Sequence, residues 1–454
     1  MMKQKFLPPT INFTFVMFLF GMSAAVAQEN LNLYISQALE ANHGIKQQAF
    51  QLDRSLYALK EARAMFMPSV TFSTTYTKAA GGRTIDFPTG DLLNQTYSTL
   101  NQLTGTNNFP QLKNQSILLN PDNFYDAKFR TSLPLLNAEL IYNKRIKQQQ
   151  VELQKTEIAL YKRELIKDIK TAYYQYAKAV NAVTIYQSSL QLVEEGKRIN
   201  TVLLKNQKAN RTTVTRSENE VFRIAAALTA AIENRRSARA YFNFLVNRPQ
   251  ADSIILDEID VLPPTDIETE LQVGKREELL KLGIAREIDE NLTGLSQAYI
   301  VPKVNTFLDL GSQAFDWQYN DRSRYYLFGM SLSWNIFSSG VNTYKTGQAR
   351  AEQHSLAEQT NYIEDQLKTE LYVRKNDFQS VLAQYNAAQS QLKTAETYYN
   401  DELKLYKEGL AIYIELLDAQ NQFINARLDS NIALFNTWIS YVAIERANAS
   451  FNIQ

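Results

Sequence analysis

The spacing of apolar residues switches between two periods, and it does so in the same order in each half of the chain. Leu31 to Met65 is rich in Ala, Leu and Gln and reads as helical. The period then becomes two. Val70, Phe72, Thr74 and Tyr76 form one row of a strand over about 69–78. A second strand, about 124–136, places Tyr125, Ala127, Phe129, Thr131 and Leu133 on one face and Asp126, Lys128, Arg130 and Ser132 on the other. Helices follow at about 138–206 and 213–247. The second half predicts a helix at about 270–298, strands at 303–315 and 324–337, and helices at 341–408 and 413–448. Val304, Thr306, Leu308 and Leu310 form the apolar row of the third strand. In the fourth, Tyr326, Phe328, Met330, Leu332 and Trp334 oppose Tyr325, Leu327, Gly329, Ser331 and Ser333.

The long helices are extreme. Residues 138–206 would extend roughly 100 Å at 1.5 Å per residue. No proline interrupts Leu135 to Arg248, and none follows Lys303. Leu165, Ile169, Ala172, Tyr176, Ala179, Val183, Tyr186, Leu190 and Val193 keep a 4-3 rhythm. Leu367, Leu371, Phe378, Leu382, Tyr385, Leu392, Tyr399, Leu403 and Tyr406 fit the same template with gaps. Such stripes predict left-handed supercoiled packing.

The halves are repeats of one pattern. Ser132-Leu133-Pro134-Leu135-Leu136-Asn137 recurs as Ser333-Trp334-Asn335-Ile336-Phe337-Ser338, Pro68 as Pro302, and 205–220 as 407–422. The domain reading is therefore a first repeat over 28–248, a linker over 249–269 with Pro249, Pro263 and Pro264, and a second repeat over 270–454. Residues 1–27 read as a secretory signal: Lys3 and Lys5, an apolar stretch from Ile11 to Met22, then Ala25-Val26-Ala27 as the cleavage site. The mature chain would begin near Gln28.

Composition narrows the function. With 48 Lys+Arg against 47 Asp+Glu there is no electrostatic footprint for nucleic acid. Zero Cys removes disulfides, thiol catalysis and thiolate metal sites. His43 and His354 lie in separate helical contexts without metal-ligand spacing, and no phosphate-binding or nucleophile motif appears. An enzyme is not expected, nor a cofactor, metal or catalytic residue. No run of 18 apolar residues is present, so a membrane would be crossed only by strands. Four strands cannot close a barrel, because open edges in lipid leave backbone groups unpaired. Copies of the chain would have to share one, and three copies give twelve strands. The alternative is a soluble periplasmic coiled-coil scaffold or adaptor protein, whose sheet would stand in water.

One segment is more specific. Tyr406-Lys407-Glu408-Gly409, followed by Tyr413-Ile414-Glu415-Leu416-Leu417-Asp418-Ala419-Gln420, resembles the signature between the last two long helices of the TolC-like outer membrane efflux family. Leu33 to Asn42 is similar to that family's opening segment. The resemblance covers essentially the whole mature chain. It implies a mainly α fold, with a long antiparallel helical tunnel and four strands per protomer, and a shared twelve-stranded barrel in a homotrimer. It also implies an outer-membrane location with a large periplasmic part, surrounding lipid, and partnership with a periplasmic adaptor (membrane fusion) protein and an inner-membrane transporter. The function implied is an exit channel for tripartite efflux or type I secretion. Tyr406 matches a position that helps hold the family's closed state. The family's basic partner four residues before Glu415 is absent, since Ala411 stands there. Glu415 and Asp418 share a helix face, and Arg211 or Arg216 on the first-half turn would bond them to keep a periplasmic gate shut. The segment over about 79–123, rich in Asn, Gln, Thr and Gly, reads as a long exterior loop, and that over about 316–323 as a short one.

Overall fold

A computed structural model describes residues 29–265 and 276–451. The signal segment and the start of the helix expected at 270–298 lie outside them. Two helices open the described chain, α1 (Glu29–Ala41) and α2 (His43–Ala64). There follow β1 (Ser69–Thr77), β2 (Thr84–Phe87), α3 (Thr89–Thr104), β3 (Gln115–Leu118) and β4 (Phe124–Leu136). The long helix α4 (Ala138–Lys205) pairs with α5 (Arg211–Val246). The second repeat gives α6 (Glu277–Gln297), β5 (Lys303–Phe315), β6 (Arg324–Ser333), α7 (Val341–Glu408) and α8 (Tyr413–Ala447). The two longest helices are each 68 residues.

The helix expected over 31–65 is broken at Asn42. Its side chain donates to Leu245 O at 3.0 Å and accepts from Gly44 N at 2.8 Å and Ile45 N at 3.3 Å. One asparagine thus caps the start of α2 and ties it to the end of α5. Such a side chain competes with the helix for backbone groups, which propensity alone does not register.

The chain divides into two compact units. The boundaries fall inside α2, α4, α6 and α7. The first unit draws on residues up to Arg54, Val151–Arg286 and everything from His354 onward. Its largest core joins Leu31 and Tyr34 of α1, Leu165 to Ala177 of α4, Phe242 of α5, and Phe435 and Val442 of α8. Three smaller clusters lie apart from it, around Leu371 and Phe378, around Val193, Ile224 and Ile424, and around Tyr406, Tyr413 and Leu416. The linker contributes directly. Ile254 is buried, and Asp257 accepts from Asn30 N and Leu31 N, both at 3.2 Å, placing a carboxylate at the N-terminus of α1. Tyr173 donates to the same carboxylate at 3.0 Å, and burial pushes its hydroxyl pKa upward.

A buried ionic knot fixes the start of the second repeat. Arg163 of α4 grips Glu277 through two bonds of 2.7 and 2.6 Å and reaches Phe451 O at 3.2 Å. Arg276 bonds Glu278 at 2.8 Å, Glu370 of α7 at 2.9 Å and Ala447 O at 3.3 Å. Arg446 bonds Glu164 at 2.9 Å and Glu278 at 2.8 Å. Burial raises the Glu278 carboxyl pKa, but hydrogen bonds from Arg276 and Arg446 and the Arg446 charge outweigh it and hold the group at about 2.

The second unit, Ser55–Gln150 with Glu287–Gln353, holds the sheet. Four antiparallel strands run in the order β1-β4-β5-β6. Among the described residues both edges, β1 and β6, lack a partner strand within the chain. Phe72, Phe129, Leu310 and Tyr326 stand in one cross-sheet row on the apolar face. These four side chains are exposed. The fourth strand was expected to reach residue 337 but stops at Ser333, whereas its repeat β4 continues to Leu136.

The segment expected as an exterior loop over 79–123 has its own architecture. β2 and β3 pair as a hairpin around α3. Its asparagines act as backbone substitutes. Asn94 exchanges bonds with Leu112 at 2.9 and 2.7 Å, and Asn101 with Phe109 at 2.8 and 3.1 Å. Asn114 accepts from Gly90 N at 2.9 Å and Asp91 N at 3.2 Å, capping α3 in place of a local residue. Read as polarity the segment is loop-like; read as donor–acceptor pairs it is a fold.

Candidate functional site

Two regions gather polar groups in a pattern that packing alone does not require. The first lies where the long helices turn back. Both turns end in the same C-terminal motif. Leu410 N bonds Leu405 O at 2.9 Å with Gly409 at φ 79°, and Lys208 N bonds Leu203 O at 2.8 Å with Gln207 at φ 60°. The repeat therefore preserves the turn geometry, although only the second copy has the glycine that makes it strain-free.

Next to these turns, the Tyr406 hydroxyl donates to Asn200 Oδ1 at 2.5 Å. Asn200 is fully buried, and burial pushes the Tyr406 hydroxyl pKa upward. The Tyr413 ring lies 6.0 Å from that of Tyr406. Its hydroxyl pKa is pushed up to about 12, first by burial and then by the Glu220 charge. Asn200 was missed as a functional candidate. A signal existed, because it continues the 4-3 stripe one heptad beyond Val193, where an asparagine is out of character. Arg223 bridges Glu220 on its own helix to Asn421 of α8 at 2.6 Å.

The structure brings the expected gate residues together only in part. Tyr406 is in the cluster just described. Glu415 accepts from Ile412 N at 3.0 Å and so caps α8. Asp418 accepts from Gln422 at 2.7 Å. Arg211 and Arg216 begin α5 beside Asn210, whose side chain caps that helix by accepting from Thr213 N at 2.9 Å. Among the described residues of one protomer, neither arginine forms an ion pair with Glu415 or Asp418. The positive charge of Arg216 acts on the hydroxyl of Tyr413.

The second region is the polar face of the sheet. Arg130 of β4 grips Asp309 of β5 through two bonds of 2.7 Å. Lys128 bonds Asp126 at 2.6 Å, and Tyr325 of β6 donates to Asp126 at 2.8 Å. The guanidinium of Arg130 stacks 4.8 Å above the Phe307 ring. A side chain at Gly329 would collide with that ring, its Cβ falling 2.5 Å from Phe307 Cζ. Glycine there leaves room for the ring in its observed position. The charges on this face are mutually paired, and the opposite face is apolar.

The chain is similar to proteins already known. Residues 275–447 match the family described as outer membrane efflux protein. The second half of the chain is similar to this family. By sequence the match lies in the second half; by fold it extends over nearly the whole length. OprN, an outer-membrane channel, superposes with a TM-score of 0.75 at 17% identity, covering 93% of this chain and 90% of that one. VceC, an outer membrane protein of Vibrio cholerae, gives 0.74 at 16% identity, covering 93% and 97%. The MtrE outer membrane channel of Neisseria gonorrhoeae, solved in an open state, gives 0.72 at 16%, covering 92% and 88%. No curated protein matches the chain in sequence. At such identities the solved structures establish the fold: long antiparallel helices with a four-stranded sheet per protomer.

Proposed function

We propose that this TolC-like chain is one protomer of a trimeric exit duct in the outer membrane, which passively conducts substrates delivered by an inner-membrane transporter through a periplasmic adaptor. What carries the reading is the sheet. It has an apolar exposed face, a charge-paired polar face and two unpaired edges. A sheet of that kind is satisfied in lipid only when closed by copies of itself. None of the described helices is long and apolar enough to cross a membrane, so the strands are left to do so. The two 68-residue helices then supply a wall roughly 100 Å tall across the periplasm.

The gate of this duct is placed at the helix turns. Tyr406 holds α7 to α4 through Asn200. Glu415 and Asp418, repeated by threefold symmetry, form a ring of six carboxylates that attracts cations. Arg211 or Arg216 bonds the Glu415/Asp418 pair across neighbouring helices in the closed state. Native mass measurement in detergent together with planar-bilayer recording tests the reading as a whole. A trimer with a cation-preferring conductance is expected; a monomer stable without detergent overturns it.

A further inference from the structure

The internal repeat fixes how one copy of the chain pairs with the next, residue by residue. In the sheet, β4 has a neighbour on each side and its repeat β6 has only one. The repeat is kept in register at the level of single pairs. Ser69 follows Pro68, as Lys303 follows Pro302, and Ser132 corresponds to Ser333. Ser69 stands opposite Ser132, and Lys303 stands opposite Ser333. The same operation can therefore be applied to the one pairing that has no counterpart inside the chain, that of β4 with β5. Ser132 faces Phe307, the fourth residue after Lys303. Its repeat image is Ser333 facing Ser73, the fourth residue after Ser69.

We propose, on the reading of the chain as a shared barrel, that β6 of one copy pairs antiparallel with β1 of a second copy, with Ser333 opposite Ser73. The flanking pairs are then Leu332 opposite Thr74 and Trp334 opposite Phe72. Every pair joins like faces: Ser333 and Ser73 are both on the polar face, and Trp334 and Phe72 both on the apolar one. A slip of one residue would set serine against phenylalanine across the faces.

The proposal accounts for where β6 ends. In β4 the residues from Leu133 to Leu136 are strand because they pair with Val304 to Thr306, with a bulge between Pro134 and Leu136. The images of those residues are Trp334 to Phe337. Within the described chain they have no partner strand, and Ile336 and Phe337 stand 78% and 83% exposed. In the assembly the same bulge carries Phe337 onto Val70 of the second copy, itself 64% exposed. The segment becomes strand on assembly, and two isolated apolar patches become cross-strand pairs.

The chain has no Cys, so disulfide trapping is clean. Full-length S73C/S333C and T74C/L332C are oxidised in detergent and resolved without reductant, with T75C/S333C and T71C/S333C as two-residue slips. Opposed Cβ atoms lie within about 4.5–5.5 Å, close to disulfide reach, whereas diagonal ones lie about 7–8 Å apart. An intrachain bond is excluded by the two strands between β1 and β6. The direct pairs are expected to cross-link into covalent dimers and trimers at least ~10-fold more completely than the slips. Hydrogen exchange at 334–337 is expected to slow on assembly. Preferential trapping of a slipped pair, or no trapping in a protein whose native mass is that of a trimer, overturns the register while leaving the duct intact. A monomeric native mass removes both.

Discussion

β4 and β6 are repeat images of one strand, and α4 and α7 of one 68-residue helix, yet the protomer treats the members of each pair differently. β4 is flanked on both sides and β6 on one. In the helical unit α4 buries two stripes, one through Leu165, Ile169, Ala172 and Tyr176 and another through Ile166 and Tyr173. There α7 buries a single thin line, Leu367, Leu371, Phe378, Ala388, Ala395 and Tyr406. Tyr362 and Tyr372 on its other side are exposed. In each pair the first-repeat member, β4 or α4, is the enclosed one, and its image, β6 or α7, stands at a rim. The sheet is open at both of its edges, β1 and β6, which is the condition for pairing with further copies.

The comparison can be strained from both ends. The largest effect is expected at the buried ion pair of α4. Arg163→Ala leaves Glu277 buried and unpaired, which costs roughly 3–5 kcal/mol. Arg374→Ala on α7 breaks only the exposed pair with Asp377 and changes stability by less than about 0.5 kcal/mol. Thermal unfolding in detergent distinguishes them, and equal losses would contradict the interior–rim contrast.

Acid should act through the same knot. The Glu278 carboxyl is held at about 2 in the fold, below its ordinary 4.5. Its stabilisation is complete above that ordinary value and is lost as pH falls through about 2. Discounted for the solvent screening of a partly exposed group, the loss amounts to roughly 2–3 kcal/mol. Melting temperature measured from pH 6 to pH 2 should fall, and Glu278→Gln should flatten the fall. An unchanged slope in the variant would assign the acid sensitivity elsewhere.

At the turns, Tyr406→Phe removes the donor to Asn200 and leaves a buried acceptor unpaired, at about 1–3 kcal/mol. We expect single-channel recordings to show more frequent opening. Arg216→Ala should have a smaller effect of the same sign, through exposed pairs of about 0–1 kcal/mol each. No change for either arginine variant would exclude the Arg211/Arg216 contribution. The smallest effect is a gain. Gln207→Gly should stabilise the first turn by about 0.5–1 kcal/mol, while Gly409→Ala should cost about 1–2 kcal/mol, because both positions are left-handed. Chemical denaturation of the pair of variants checks the sign at each turn.

Much of this is legible in the sequence. Period-two rows gave the faces of all four strands. The 4-3 stripes and the missing prolines gave the long helices within a residue or two, because supercoiled packing writes itself into spacing. Asn42 and Asn200 were harder. An asparagine that caps one helix while holding another, or that answers a tyrosine from the next helix, carries no local signature of its partner. The segment over 79–123 was misread for the same reason, since its order comes from asparagine–backbone pairs 8 to 24 residues apart.

What the sequence by itself determined is periodicity: which residues form strands and helices, which face is apolar, and that the pattern occurs twice. That information is local, set by backbone geometry and side-chain alternation. Only the tertiary structure decided which of two equivalent strands lies inside and which is left at the edge, and where β6 stops for want of a partner. A strand's hydrogen bonds belong to its neighbour as much as to itself, so its length is not a property of its own residues.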